Sequence, residues 1–247
     1  MNKLATLVVG ASGATGKLLV ERLLESGQKI KVIVRSTSNI PDHWNTIENL
    51  TIIKRKIAEI TPEEMSEYIA DCQAVASCLG HTMTWNGIYG KPEKLVTDTV
   101  RLLCEAIIKN ASERPIKFVL MNTAGNSNRD IYEPVSVGEK MVIGMIRLLL
   151  PPHPDNEKAA DYLRLKVGQN NPNIEWVVVR PDTLINEENF SEYSLHKSPT
   201  RSAIFNPGKT SRINVGHFMA RLILDDDLWS TWKGQMPVIY NVTKLTE

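Results

Sequence analysis

Three glycines spaced by three residues, Gly10, Gly13 and Gly16, follow an apolar run in the segment VVGASGATGK. Glycines at this spacing allow a tight turn and a close approach of the backbone to a pyrophosphate, whose charge the first N–H groups of the following helix bind. The hydroxyls of Ser12 and Thr15 add donors at the same place. Because a predicted strand precedes the glycines and a predicted helix follows them, we expect a dinucleotide-binding loop rather than a turn that serves backbone geometry alone.

The end of the second predicted strand indicates which dinucleotide binds. An acidic residue at this position would bind the ribose hydroxyls of NAD, but the segment here is VIVRS. Arg35, followed by Ser36 and Thr37, offers a cation and hydroxyls to an adenosine 2′-phosphate. We therefore expect NADP (as NADPH) in preference to NAD. The alternative is that Arg35 is a solvated charge at the end of a strand.

The elements that must position these residues are short apolar runs rich in Val and Ile, which alternate with helical patterns. Such runs lack polar alternation, which is typical of strands that helices cover on both faces. The sequence predicts an α/β fold, a Rossmann-type doubly wound parallel sheet with helices on both faces. We expect one NAD(P)-binding domain over residues 1–247, with 181–247 contributing a small C-terminal substrate lobe. The predicted strands are 4–9, 30–34, 50–53, 74–79, 116–121, 174–179 and 237–240, and the predicted helices are 15–25, 62–70, 93–109, 155–166 and 214–224.

Composition excludes several classes of function. The chain has 29 Lys and Arg against 28 Asp and Glu, so a net charge of +1 gives no field that would attract nucleic acid or an anionic membrane. The three cysteines, Cys72, Cys78 and Cys104, are odd in number and lack metal-type spacing, and the five histidines are scattered, so we expect reduced core cysteines and no metal site. The apolar stretch 141–150 is too short to cross a bilayer, and the start of the chain lacks a secretory pattern. We expect a cytoplasmic monomer or homodimer that acts on a small-molecule substrate.

Four segments, VVGASGATG, VASCLGH, KFVLMNTAG and WVVVRPDTL, together resemble the short-chain dehydrogenase/reductase superfamily. They are most similar to its atypical NAD(P)H-binding branch, which includes NmrA-like proteins and flavin/biliverdin-IXβ reductases. The segment SRINVGHFMARLILDD resembles the C-terminal helix of that branch, so the likeness covers nearly the whole chain except the middle insertion.

The resemblance implies roles for individual residues. In relatives an aspartate after the third strand contacts adenine, and Ala58 stands at that position here. Thr123 would lie beside the nicotinamide, together with Asn122, and belongs to the candidate catalytic group. The residues implied to bind the adenosine and pyrophosphate half are Gly10, Ser12, Gly13, Ala14, Thr15, Gly16 and Arg35, and those implied to line the cofactor ribose are Cys78, Leu79, Gly80 and His81.

The catalytic Tyr-x-x-x-Lys motif of typical relatives has no clear equivalent. In that motif the lysine lowers the pKa of the phenol, and the tyrosine passes a proton to a carbonyl substrate. Tyr193 with Lys197 matches the spacing but lies outside the helix that should carry the motif, so we interpret it as coincidence. Tyr162 and Lys166 lie on the expected helix, near its end. They are either a catalytic pair or half-buried helix residues without a role in catalysis.

The lysine position of the family best matches Lys158, or Asn156 in another register. Pro154 stands four residues before Lys158, and proline cannot carry a proton. Lys158 is therefore either a remnant of the motif or a solvated helix charge. His153 lies near the expected substrate region, where it is a candidate proton donor or a structural histidine.

The missing tyrosine indicates a type of acceptor. A ketone that accepts a hydride becomes an alkoxide and needs a positioned acid, whereas a flavin or quinone spreads the charge over a conjugated ring. We therefore expect an NADPH-dependent oxidoreductase for conjugated small molecules, with Trp85 and Tyr89 either stacking on a planar ring or packing a lid. The alternatives are a non-catalytic NADP(H)-sensing regulator, whose apolar segment MVIGMIRLLLPP would bind a partner, and a carbonyl reductase that uses Tyr162 and Lys166.

Overall fold

A computed structural model describes residues 4–36, 39–81, 84–85, 89–90 and 92–242 of the chain. Strands and helices alternate through it, as the sequence predicts. The strands are β1 Ala5–Val9, β2 Lys29–Val34, β3 Leu50–Lys54, β4 Cys72–Ser77, β5 Ile116–Met121, β6 Ile174–Pro181, β7 Thr183–Ile185, β8 Tyr193–His196, β9 Lys209–Ser211 and β10 Val238–Asn241. The α-helices of the described residues are α1 Ala14–Glu25, α2 Pro62–Ile69, α3 Leu95–Asn110, α4 Val137–Leu149, α5 Pro152–Asp161, α6 Arg212–Leu224 and α7 Asp226–Trp232.

Eight strands form the central sheet in the order β3-β2-β1-β4-β5-β6-β10-β8. All of them are parallel except β8, which pairs antiparallel with β10 at one edge. The chain runs outward from β1 to β3 and then returns to place β4 on the other side of β1. This reversal puts a crevice at the carboxyl ends of β1 and β4, where ligands bind in doubly wound sheets. The predicted fold class is therefore confirmed.

Two hydrophobic cores cover the two faces of the sheet. On one face Leu19 and Leu23 of α1 pack with Val215 and Phe218 of α6, and all four side chains are fully buried. On the other face α2, α3 and α5 pack against the sheet around residues such as Leu103. Because both faces are covered, the central strands are mostly apolar, which is why the sequence reveals them.

The segments 155–166 and 181–236 differ in detail from the prediction. The predicted helix 155–166 begins at Pro152 as α5 and continues as a π-helical turn, Tyr162–Val167. Pro151 and Pro152 end α4 because proline cannot continue a helix, whereas proline is well suited to a first turn. Three short strands, β7, β8 and β9, lie in a stretch whose polar composition hides them. The division into a main domain and a C-terminal lobe stays a prediction.

Candidate functional site

The first candidate cofactor contact is the turn between β1 and α1. Gly10 has a φ of +75°, and a Cβ on it would lie 2.6 Å from the carbonyl carbon of Cys78 and 2.7 Å from the nitrogen of Leu79. A Cβ on Gly16 would overlap the carbonyl oxygen of Gly10. Only glycine fits these two positions, so the turn packs directly on the backbone after β4.

The first turn of α1 is suited to hold an anion. Gly13 is the N-cap, it supplies no side-chain cap, and no acidic residue lies in the first turn. Gly13 N donates to Gly10 O at 3.0 Å, and Lys17 N donates to Gly13 O at 2.9 Å. The N–H groups of Ala14, Thr15 and Gly16 precede the first intrahelical donor and are therefore available to a ligand. This turn fits the pyrophosphate of a dinucleotide, because it offers donors and a positive helix end without a competing carboxylate.

Arg35 directly follows β2 at the same end of the sheet. Its side chain is exposed and makes no hydrogen bond or ion pair with the described part of the chain. Ser36 is exposed beside it, and Thr37 lies outside the described residues. Ala58 lies exposed in the short helical segment Ile57–Glu59 that follows β3. The guanidinium of Arg35 is therefore accessible to a phosphate, as the NADP prediction requires.

The residues after β4 differ in their exposure. Cys78 is buried, and burial raises the pKa of its thiol to about 12, so the thiol stays protonated and inert. Leu79 is half-buried and Gly80 is exposed, with open space where a Cβ would lie. Their roles in lining a ribose stay predictions.

Asp155 is a structural residue of this region that the sequence analysis missed. Its buried carboxylate accepts hydrogen bonds from Val96 N at 2.9 Å and Thr97 N at 3.0 Å, and His81 Nε2 lies 2.8 Å from its Oδ2. It therefore caps α3, whose own N-cap residue, Lys94, offers no side-chain bond. Asp155 joins the loop after β4 to α3 and α5, and no local sequence signal could have shown this because the bonds span about sixty residues.

Asn122 and Thr123 lie at the carboxyl end of β5. Asn122 Nδ2 donates to Asn156 O at 2.9 Å, and its Oδ1 accepts from Thr123 N at 2.9 Å. Thr123 Oγ1 accepts from Gly125 N at 3.2 Å. Asn156 therefore lies beside β5, whereas Lys158 is exposed and its side chain makes no hydrogen bond or ion pair with any described residue. The catalytic roles of Thr123 and Lys158 stay predictions.

Tyr162 lies on the side of the helix that packs against the core. Its ring contacts the buried cluster, and the guanidinium of Arg101 lies 5.9 Å from the ring centroid. Burial raises the pKa of its phenol, which makes proton release harder. Tyr162 is six residues after Asn156, about 9 Å along a helix at the usual rise. The catalytic role of Tyr162 stays a prediction, and these contacts do not favour it.

His153 and Glu157 lie next to each other on one face of α5. His153 Nε2 lies 3.3 Å from Glu157 Oε1, and Arg147 of α4 binds the same carboxylate through two nitrogens at 2.7–3.0 Å. Burial alone would raise the pKa of Glu157, but the nearby His153 and the hydrogen bonds from Arg147 lower it to about 2. The imidazole Cε1 of His153 lies 3.7 Å from the Cβ position of Gly125. His153 thus reaches the loop after β5, where a proton donor would be needed.

We predict that Glu157→Gln lowers the free energy of unfolding by about 1–2 kcal/mol at neutral pH. The reason is that the pKa of this carboxyl is lower in the folded protein than in the unfolded chain, so its ionised form stabilises the fold at any pH above the unfolded-chain pKa. Wild type loses this contribution as the pH falls from 4.5, the usual pKa, toward the folded pKa of about 2. The difference between the two proteins in urea unfolding should shrink over that range. Glu48→Gln, which changes an exposed carboxylate, is the control. A difference that stays constant across the range would contradict the prediction.

A cavity of about 260 Å³ opens beside Ala124 and Gly125. The loop after β5, the start of α4 and the segment 199–203 line it. Its polar groups include Glu133, Glu139, Arg201 and several serine hydroxyls. The cavity therefore adjoins the residues that the sequence analysis places near the nicotinamide, and it is the candidate substrate site.

A buried ion pair between Arg180 and Glu133 supports the residues that line this cavity. Arg180 is fully buried, and its Nη2 lies 2.7 Å from Glu133 Oε1 in a two-point ion pair. The guanidinium also donates to the carbonyl oxygens of Met236, Asn126 and Lys197 at 2.7, 2.8 and 3.2 Å. The sequence signal for this pair is an arginine within the apolar strand WVVVRP, since a buried charge requires a partner.

Trp85 and Tyr89 lie together after β4. Their ring centroids are 4.8 Å apart, and Tyr89 OH donates to the carbonyl oxygen of Leu149 at the end of α4 at 2.9 Å. Trp85 is 78% exposed. The two rings therefore contact each other and α4, and their stacking on a substrate stays a prediction.

Comparison with known proteins assigns the family. The sequence profile of NAD(P)H-binding proteins matches residues 10–226, which include the glycine loop and the C-terminal helix α6. The chain belongs to the NAD(P)H-binding family. Within this NAD(P)H-binding protein, the described residues include no group of three or more His, Cys, Asp or Glu that could hold a metal ion. No helix of the described part is long and apolar enough to span a membrane.

Solved structures share the fold of this NAD(P)H-binding protein at low identity. The oxidoreductase ylbE from Lactococcus lactis is 17% identical with a TM-score of 0.69, over 97% of this chain and 92% of that one. A wide-type short-chain dehydrogenase/reductase from Veillonella parvula, solved in complex with NADP, is 17% identical with a TM-score of 0.69 over 96% and 94%. A protein from Streptococcus pneumoniae provisionally named an NADH-flavin reductase is 18% identical with a TM-score of 0.62 over 97% and 100%. No curated protein matches the chain.

Proposed function

We propose that this protein is an NADPH-dependent oxidoreductase that reduces a conjugated small molecule such as a flavin or a quinone. One arrangement carries the proposal: the glycine turn and the cavity both lie at the carboxyl ends of the central strands, and the resemblance to short-chain dehydrogenases/reductases implies Pro154 at the position of the catalytic tyrosine. The relative from Streptococcus pneumoniae, named for flavin reduction, supports the same class of acceptor.

Some residues would bind the cofactor, and others would position the substrate against it. The amides after Gly13 would hold the pyrophosphate, and Arg35 would hold the 2′-phosphate of the adenosine. NADPH supplies a hydride when it is bound. Asn122 keeps the end of β5 against α5, and the segment 199–203 lines the substrate side of the cavity. A conjugated acceptor takes its proton from solvent or from His153, so a positioned tyrosine is unnecessary.

Steady-state oxidation of NADPH against a panel of flavins and quinones tests this function. We expect turnover with at least one conjugated acceptor and little with simple ketones. Tight NADPH binding without turnover on any acceptor would count against it. A Tyr162→Phe variant that keeps full activity on every acceptor would exclude the carbonyl reductase alternative.

We predict that Arg35→Gln weakens NADPH binding about tenfold while leaving NADH binding within about twofold, because a charge-assisted contact with phosphate is lost only for NADPH. Isothermal titration of both cofactors measures the two affinities. Arg114→Gln is the matched control, because Arg114 is an exposed arginine that precedes β5, at the amino ends of the parallel strands and away from the proposed site. Equal weakening of both cofactors would show that Arg35 supports the fold instead of reading the phosphate.

A second candidate, a regulator that senses NADP(H) without turning it over, is favoured by the surface of α4. Val137, Met141 and Leu148 are 75%, 68% and 83% exposed, a row of apolar side chains suited to contact another protein. Equal affinity for NADP⁺ and NADPH, no hydride transfer and a specific bound partner would favour the regulator over the enzyme.

A further inference from the structure

The cavity beside Gly125 contains a carboxylate that the protein leaves unpaired. Glu139 lies in the first turn of α4, is only 8% exposed and lines the cavity. Its backbone N–H donates to the Ser136 hydroxyl, but its carboxylate makes no hydrogen bond or ion pair with any described residue. Glu133, on the same cavity wall, is fully used by Arg180 and by the Asn128 N–H at 2.8 Å. Glu139 is therefore the acidic group left for a ligand.

An unpaired carboxylate that faces a cavity from a largely buried residue discriminates strongly between ligands. It accepts hydrogen bonds and donates none, so a ligand N–H placed against it gains a charge-assisted bond. A carbonyl oxygen at the same place is repelled, and both polar groups are left unsatisfied. The polar atoms of a quinone are carbonyl oxygens only, whereas a flavin ring carries an imide N–H between two carbonyls.

Hydroxyls on the same cavity suit the carbonyls that flank such an N–H. Ser202 Oγ accepts from Ile204 N at 3.2 Å and Phe205 N at 3.0 Å, which leaves its hydroxyl hydrogen to donate. Ser127 also lines the cavity. The cavity therefore offers hydroxyl donors for carbonyl oxygens and a carboxylate acceptor for an N–H. An imide or lactam carries the complementary groups, a carbonyl oxygen next to an N–H.

We infer that the cavity binds a heteroaromatic acceptor whose imide or lactam N–H donates to the carboxylate of Glu139, in preference to a quinone. The inference names the acceptor class and rests on the proposed oxidoreductase function for its biological meaning. Its evidence is the pairing of Glu133 with Arg180, which leaves Glu139 as the carboxylate without a partner in the described cavity.

Equilibrium binding of lumiflavin and 3-methyllumiflavin tests the inference without any hydride transfer. The two ligands differ only at the imide nitrogen, where a methyl group replaces the hydrogen, and their intrinsic fluorescence reports binding with and without NADP⁺. We expect wild type to bind lumiflavin about tenfold or more tightly than the methylated ring, since a hydrogen bond to a charged group is lost. Equal affinities would overturn the inference, and this comparison needs no variant to fold.

The variant Glu139→Gln then identifies the residue responsible. We expect it to reduce the preference for lumiflavin to about threefold or less and to strengthen binding of menadione, a quinone, because the repelling charge is gone. Glu48→Gln, an exposed site, should keep the wild-type ratio. A ratio that Glu139→Gln leaves unchanged would overturn the inference. If the protein oxidises NADPH with quinones but shows no preference for lumiflavin, the proposed function holds and this inference is wrong. If it prefers lumiflavin but turns over no acceptor, this inference holds and the proposed function is wrong.

Discussion

Replacing Arg180 with methionine is expected to lower the free energy of unfolding by about 3–5 kcal/mol, because breaking a buried ion pair leaves an uncompensated charge. The variant would strand the carboxylate of Glu133, which is only 4% exposed. It would also remove the donors from three backbone carbonyls, those of Met236, Asn126 and Lys197. Urea unfolding followed by circular dichroism measures the change.

The double variant Arg180→Met with Glu133→Leu is the control for charge. Apolar replacement of a whole buried pair costs far less than removal of one partner, so the double variant should recover part of the lost stability. The cavity wall would still lose its link to the strand β6, and substrate binding should fall in both variants. If Arg180→Met unfolds within about 1 kcal/mol of wild type, the pair contributes little and the account given for it is wrong.

Replacing Gly10 with alanine is expected to cost about 2–5 kcal/mol of unfolding free energy and to weaken NADPH binding by tenfold or more, because a Cβ is both strained and crowded there. The φ of +75° disfavours any side chain, and the added carbon would lie 2.6–2.7 Å from backbone atoms of Cys78 and Leu79. Backbone cannot swing aside as a flexible side chain does, so the turn must shift. Urea unfolding and NADPH titration measure the two effects.

Gly144→Ala is the matched control, since it adds the same methyl group where nothing lies within 4 Å. Gly144 lies inside α4, and alanine there should raise stability by about 0.5–1 kcal/mol through helix propensity. NADPH binding should be unchanged. A Gly10→Ala protein with wild-type stability and affinity would mean that the turn tolerates a side chain and that its glycines do not define a cofactor site.

The glycine turn was predictable because its requirements are local. Gly10, Gly13 and Gly16 lie within seven residues, between a strand and a helix that hydrophobic periodicity reveals. Arg35 was predictable for the same reason, since it follows directly from the end of β2. Buried parallel strands are apolar on both faces, so their positions were evident as well.

The parts that could not be predicted depend on contacts between distant segments. The bonds from Asp155 to α3 and from Arg180 to Asn126 and Met236 span more than fifty residues. The strand β8 is short and half-buried at an edge, so its composition carries little signal. Spacing alone suggested Tyr162 as a proton donor, but spacing does not show which side of a helix meets the core.

The guanidinium of Arg180 joins segments that are made at very different times during synthesis. Its partners include Lys197 and Met236, and β10, which follows Met236, inserts between β6 and β8. The helix α1, whose first turn is the candidate pyrophosphate site, packs on α6, so its core is incomplete until residues 212–224 have been made. Both halves of the proposed site therefore depend on the C-terminal segment, and a chain truncated before α6 should bind neither NADPH nor an acceptor.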